Sequence, residues 1–169
     1  QPFWLWLNKR QDKVISIRFG LVLSMLASVY FTGCVLLKHF MDENLWFLLP
    51  FVILAGIGSG GLFTLPQAMV ADASDENALQ TGTHQEGIYY GAMTLSYKLS
   101  QSLAIFMIGI VVDLVGFDNA LSIQTEFTTT SLGLFLGFGT LIAFIFARIS
   151  YHRYGITRTR LLEIHDGLA

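Results

Sequence analysis

Charged residues are scarce in this 169-residue chain, at 13% against roughly 25% in soluble domains, and the chain contains one cysteine and three prolines. A single cysteine, Cys34, excludes a disulfide framework and a cysteine-based zinc site. No basic patch alternates with aromatic residues, which argues against nucleic acid as a partner. Phosphate-binding glycine loops, metal-ligand spacings and Ser/His/Asp arrangements are also missing, so the sequence predicts neither an enzyme nor a bound cofactor.

Apolar residues, by contrast, make up 53% of the chain and lie in four long blocks. Residues 19–37, 45–71 and 127–147 contain no Asp, Glu, Lys or Arg, and residues 87–112 contain only Lys98. About 20 apolar residues suffice for a helix to cross the hydrocarbon layer. We therefore predict an all-α integral membrane protein, embedded in the lipid bilayer by four transmembrane helices.

The blocks and the segments between them define the predicted organisation. Trp4 and Trp6 lie in a stretch typical of the interfacial end of a span, so we expect the chain to be the C-terminal part of a larger protein. The segments are the end of that span with a cytoplasmic basic loop (1–13), transmembrane helices (14–38, 45–70, 86–115 and 129–151), a cytoplasmic loop (71–85) and a cytoplasmic tail (152–169).

The basic residues predict the orientation. Four precede the first span and four flank the last, whereas one lies in a connection on the opposite side. Because lysine and arginine accumulate on the cytoplasmic side, we expect both ends to be cytoplasmic in a multi-pass protein of the plasma (inner) membrane. The residues are Lys9, Arg10, Lys13 and Arg18, then Arg148, Arg153, Arg158 and Arg160, against Lys38.

Lys98 is the most informative position of the sequence. It lies 11 residues after Gly87, about 16 Å into the membrane and near its midplane. A charge there costs at least about 2.5–3.5 kcal/mol and normally faces a cavity or a partner. Small and polar residues share its helix face, which favours a transport site over the alternative of a structural lysine paired to a carboxylate: Gly87, Gly91, Thr94, Gln101, Ser102 and Gly109.

The second span combines small residues with proline. Gly56 and Gly60 form a Gly-x-x-x-Gly motif that is typical of close helix packing, and Pro66 follows. A span of this composition could also bend between the states of a transporter, because neighbours satisfy the carbonyl that proline leaves free.

Residues 65–116 resemble the glycoside–pentoside–hexuronide:cation symporters of the major facilitator superfamily, the melibiose-permease type. The resemblance rests on the run LPQAMVAD at 65–72, Asp75-Glu76, Thr81-Gly82, EGIYYG at 86–91 and Lys98-Leu99-Ser100. The tail YGITRTR at 154–160 and the basic segment WLNKR at 6–10 are similar to that family as well.

The resemblance implies a twelve-helix fold of which this chain forms the last four spans, with substrate bound near the midplane between two six-helix halves. It implies that Lys98 lies where sugar and cation binding are coupled, that Thr94 binds a sugar hydroxyl, and that Phe63 packs against the sugar. Gln101 and Gly91 share that helix face. It also implies a cytoplasmic gate network of Asp72, Asp75 and Glu86.

Two departures from the family pattern affect these expectations. His84 and Gln85 stand where a basic residue usually precedes the Glu-Gly pair, so the cytoplasmic network is expected to be weaker or sensitive to pH. The cation-binding carboxylates of the family lie in the N-terminal half, outside this chain, so both Na⁺ and H⁺ remain open as the coupling cation.

Three functions are compatible with the sequence. The first is the C-terminal part of a cation-coupled symporter of a sugar or glycoside, completed by the N-terminal half of the same transporter. The second keeps the fold but carries a lysolipid or another amphiphile. The third is a four-span membrane subunit with a structural role, which explains Lys98 less well.

Overall fold

Four long helices account for most of the chain in a computed structural model, which describes residues 4, 6–7, 11–38, 45–151 and 154. They are α1 (Lys13–Leu36), α2 (Leu49–Thr81), α3 (Glu86–Leu114) and α4 (Glu126–Tyr151), with a 3₁₀ turn at Leu45–Leu48 before α2. All four are long and apolar enough to cross a membrane. The all-α fold with four membrane helices is therefore confirmed. Residues 1–3, 5, 8–10, 39–44, 152–153 and 155–169 lie outside the described residues, and with them the basic residues Lys9, Arg10, Arg153, Arg158 and Arg160.

The helix α2 extends well beyond its predicted end. The sequence suggested a span at 45–70 and a loop at 71–85, but the helix continues to Thr81 and the loop shrinks to residues 82–85. Residues 67–81 contain neither glycine nor proline, so nothing interrupts the backbone hydrogen bonds until Gly82. Gly82 ends the helix in the left-handed region, at φ 69°. The acidic residues of this stretch consequently lie on a helix.

The helix α4 begins three residues before the predicted position 129. Thr125 precedes the first helical residue, Glu126, and its Oγ1 accepts a hydrogen bond from the Thr128 amide at 3.2 Å. A threonine side chain in this position satisfies one of the free amides of the first turn. The hydroxyl of Thr128 in turn donates to the Val115 carbonyl at 2.8 Å, which ties the start of α4 to the end of α3.

The helix α1 lies at the centre of the packing, between α2 and α4. Its apolar face joins α2 in a buried cluster that includes Ile17, Leu21, Leu65 and Met69. Its other face approaches α4 closely, because Gly137 leaves room for Thr32 and the hydroxyls of Ser28 and Thr140 lie 3.0 Å apart. Small and hydroxyl-bearing residues in these positions are the usual means by which membrane helices associate.

The helix α3 stands apart from the other three. It contains no buried residue and makes few contacts with α2 and α4 within the described part of the chain. Both faces of α3, the apolar face and the face that carries Lys98, are therefore exposed in this structure.

Candidate functional site

Lys98 lies in the middle of α3 with an exposed side chain. It makes no hydrogen bond and no ion pair with the residues that the structure describes. The neighbours on its helix face, Gly91, Thr94 and Gln101, are equally exposed. The alternative of a structural lysine paired to a carboxylate of α1, α2 or α4 therefore finds no support here.

The contact between α2 and α3 sets the relative heights of three predicted site residues along the two helices. The Tyr90 hydroxyl of α3 donates to the Gln67 carbonyl of α2 at 3.5 Å. From this contact the antiparallel helices rise together, so Phe63 and Thr94 each lie four residues, or about 6 Å, above it. Lys98 lies one further turn above Thr94. Phe63 is 66% exposed, so the ring is accessible on the surface of α2.

A buried ion pair joins α1 to α2 at the end of the bundle where α1 begins. Lys13 Nζ donates to both carboxylate oxygens of Asp72, at 2.6 and 2.7 Å, and also lies 3.5 Å from the Ala68 carbonyl. Asp72 is only 5% exposed. A buried carboxylate without a partner costs free energy, so the burial of Asp72 depends on the Lys13 ammonium beside it. The sequence identified Lys13 only as one of the basic residues that set the orientation.

Tyr154 fastens the segment after α4 beside this ion pair. Its hydroxyl donates to the Met69 carbonyl of α2 at 3.3 Å. Burial raises the pKa of the Tyr154 phenol well above its ordinary value, and the negative charges of Asp72 and Glu76 raise this pKa further. The phenol therefore remains protonated and keeps its donor role at physiological pH.

The three acidic residues of the expected gate network lie in different surroundings. Asp72 is occupied by Lys13, whereas Asp75 lies on the same helix with a half-buried side chain. Glu86 is exposed in the first turn of α3, where the helix dipole favours a carboxylate. Asp72 joins α1 to α2 through its ion pair with Lys13, and the role of Asp75 and Glu86 in a gate stays a prediction.

The glycines that pack α2 against its neighbours include one of the predicted pair, Gly60. A Cβ added at Gly56 would meet no atom within 4 Å among the described residues, and one at Gly60 would meet only the Trp4 indole at 3.3 Å. The close contacts belong to Gly58, which touches Ser24, and to Gly61, where a Cβ would lie 2.7 Å from the indole. Gly60 thus packs against Trp4, whereas a packing role of Gly56 stays a prediction, because the spacing of four does not reveal which helix face meets a neighbour.

Gly56 instead borders a cavity between α1, α2 and α4. The cavity measures about 500 Å³, and aromatic rings and hydroxyls form its walls. Among the rings, Phe31 and Phe51 lie 4.9 Å apart between centroids. The lining residues include Ser28, Ser59, Thr140 and Phe144.

Trp4 is the other residue whose role the sequence did not reveal. Trp4 is 2% exposed in the core between α1 and α2, whereas Trp6 is 51% exposed, and the interfacial placement of this stretch stays a prediction. The adjacent glycines Gly60 and Gly61 were the available signal, since a surface without side chains accommodates a large flat ring.

Comparison with known proteins gives two named relatives. A protein of Synechocystis sp., named as an uncharacterized symporter, is 27% identical over an alignment of 198 residues that includes gaps. The alignment covers 98% of this chain and 35% of the relative. The sodium-dependent lysophosphatidylcholine symporter 1-A of Danio rerio is 20% identical over 164 residues, covering 94% of this chain and 29% of the relative. The chain thus spans about a third of the length of these relatives. No solved structure matches it significantly.

The names of both relatives agree with the prediction that the chain is not an enzyme. The profile of the family described as MFS/sugar transport protein matches residues 1–158, far more than half of the chain. Four apolar helices of spanning length fit a part of the fold of that family. The chain therefore belongs to the MFS/sugar transport protein family and is part of a multi-pass membrane protein.

Proposed function

We propose that the chain forms the last four membrane helices of a symporter of the melibiose-permease type, which couples uptake of a sugar or glycoside to Na⁺ or H⁺. The observation that carries this proposal is the shared region of Phe63, Thr94 and Lys98. All three are exposed, and the contact between Tyr90 and Gln67 sets Phe63 and Thr94 at the same height.

The chemistry of this region suits a sugar. An aromatic ring such as Phe63 packs against the C–H face of a pyranose. A threonine hydroxyl donates and accepts hydrogen bonds, and the Lys98 ammonium donates up to three to ring or hydroxyl oxygens. Lys98 also carries a charge that the membrane disfavours, so the free energy of the charged side chain depends on whether a cation and a substrate occupy the site beside it. Coupling requires such a dependence of one ligand on the other.

The remaining half of the transporter completes the site in this proposal. The N-terminal half provides the facing wall and most of the cation-binding carboxylates, and alternating access follows from rocking one half against the other. Both ends of the chain lie in the cytoplasm of a plasma-membrane protein. The charge pairs are compatible with this orientation, since Lys13 with Asp72 marks the end near the chain terminus and Lys38 with Glu126 marks the opposite end.

The test uses the full-length parent protein in proteoliposomes. Uptake of radiolabelled melibiose and of a panel of simple glycosides is measured under a Na⁺ gradient, then under a proton gradient. Lys98→Ala is expected to abolish gradient-driven accumulation while leaving the amount of protein in the membrane unchanged. Lys38→Ala, which removes a lysine outside the midplane, is the matched control and should keep uptake. Wild-type accumulation by Lys98→Ala would refute the role of Lys98.

A second cargo is favoured by one specific observation. The Danio rerio relative is named as a lysophosphatidylcholine symporter, and apolar side chains such as Leu95 are 61% exposed near the region of Phe63 and Lys98. A lysolipid would place its acyl chain on this apolar surface. Competition decides between the two: if lysophosphatidylcholine displaces bound label and glycosides do not, the cargo is an amphiphile.

A structural four-span subunit is the remaining outcome. The nucleotide sequence upstream of the Gln1 codon distinguishes it, because a transporter needs about eight further hydrophobic segments in the same frame. Reconstituted by itself, the 169-residue chain should give no saturable uptake, since it supplies one side of a translocation path. Saturable uptake by the isolated chain would contradict the proposed division into two halves.

A further inference from the structure

The helix α2 is divided into two parts by Pro66. Proline has no amide hydrogen, so the Leu62 carbonyl loses the hydrogen bond that residue 66 would otherwise donate. Phe63 lies within this weakened turn. The position of the Phe63 ring therefore depends on how each part of α2 is held by its neighbours.

The part of α2 before Pro66 is held by Trp4. The indole Nε1 donates to the Ile57 carbonyl at 2.9 Å, and the ring lies against the backbone at Gly61. A Cβ on Gly61 would come within 2.7–2.9 Å of three ring atoms, and a Cβ on Gly20 of α1 would come within 3.1 Å of the same ring. The indole is thus wedged between glycine positions of two helices, with the Phe19 ring of α1 at 6.2 Å between centroids.

The part of α2 after Pro66 is held by Lys13, through Asp72 and the Ala68 carbonyl. Lys13 is the first residue of α1, and Trp4 lies nine residues before it in the sequence. One short stretch of chain therefore fastens both parts of α2, on either side of the turn that carries Phe63.

We propose that Trp4 is a positioning residue for substrate binding: its indole fixes the height and rotation of the first part of α2 and so places the Phe63 ring. This inference rests on the proposed function. The hydrogen bond is central to it, because a carbonyl acceptor at 2.9 Å defines one height of α2 relative to the indole, beside the close packing of Gly58 against Ser24 of α1.

The first experiment measures substrate uptake by the full-length protein with Trp4→Phe, which keeps a ring but removes the donor. We expect KM to rise roughly threefold to tenfold, the range for loss of one hydrogen bond, at unchanged protein in the membrane. Trp6→Phe, in the same segment but with an exposed ring, is the control and should leave KM unchanged. A role in folding alone would lower the amount of protein and Vmax without changing KM.

A double-mutant cycle then tests whether Trp4 acts through Phe63. Phe63→Ala should raise KM, and adding Trp4→Phe to it should raise KM no further, because the ring to be positioned is gone. If the two effects multiply, or if Trp4→Phe changes only Vmax, the inference is wrong.

A second readout does not depend on the cargo. In a Cys34→Ala background, the rate at which a water-soluble maleimide modifies Phe63→Cys should change at least threefold when Trp4→Phe is added. Gly61→Ala, which displaces the indole, should have the same effect, whereas Gly56→Ala, which meets open space, should not. Unchanged rates overturn the inference. If the modification rates change but Phe63→Ala has a normal KM, Trp4 does position the ring. The proposed substrate site is then refuted.

Discussion

Removing the ammonium of Lys13 should destabilise the protein far more than removing the carboxylate of its partner. Lys13→Met leaves the Asp72 carboxylate, 5% exposed, without its two hydrogen bonds at 2.6 and 2.7 Å. Losing one partner of a buried pair costs about 3–5 kcal/mol. Because the Lys13 side chain is 25% exposed and the pair is partly hydrated, the lower end, about 3 kcal/mol, applies. Asp72→Asn should cost only about 1 kcal/mol, since the lysine reaches water by extending its flexible stem.

The assay is thermal unfolding in detergent, followed by size-exclusion chromatography of heated samples. For a chain of this size each kcal/mol corresponds to about 2–4 °C, so Lys13→Met should lower Tm by about 6–12 °C. The double variant Lys13→Met with Asp72→Asn should be more stable than Lys13→Met alone. Lys38→Met is the control, because Glu126 is 64% exposed and such pairs contribute at most about 1 kcal/mol. Equal, additive losses at Lys13 and Asp72 would refute this account.

Three further predictions use the same assay. Tyr154→Phe should remove a stabilisation that depends on the protonated phenol. Because the folded pKa of Tyr154 is raised, this stabilisation is present below the unfolded pKa of 10.0 and declines as the pH rises above it. Equal pH profiles of stability for variant and wild type would contradict this. Ser28→Ala and Thr140→Val should each cost about 1 kcal/mol, and their combination should cost less than the sum if their hydroxyls share the 3.0 Å hydrogen bond. Gly82→Ala, at φ 69°, should cost roughly 1–2 kcal/mol, whereas Gly87→Ala, in open space on α3, should be neutral or stabilising.

The sequence predicts the four helices because the bilayer imposes a simple rule of length and hydropathy. The rule fails at α2, where Asp72, Asp75 and Glu76 look like a polar loop although the backbone continues as a helix to Thr81. Hydropathy reports where the membrane ends, whereas helix ends depend on local backbone chemistry such as the left-handed Gly82. The two boundaries need not coincide.

The sequence indicates candidate site residues only where a single residue is unusual in its surroundings or where a family resemblance points to it. Lys98 is conspicuous as a charge in an apolar block, and the resemblance to a transporter family suggested Phe63 and Thr94. Trp4 and Lys13 were missed as partners, because their contacts join residues more than 50 positions apart in the sequence. Such pairings depend on the packing of α1 against α2, which periodicity within one helix does not determine.

The isolation of α3 bears on how the protein is made. Its apolar window has a mean hydropathy of 1.6, below the 1.9–2.1 of the other three, and it alone carries a lysine near its centre. With no buried residue, α3 gains little from α1, α2 and α4 to offset the insertion cost of Lys98. While the ribosome completes the chain, α3 is therefore the segment that depends most on the translocon or on helices synthesised earlier. The residue proposed to serve transport is thus also the one that makes biogenesis of this chain most vulnerable.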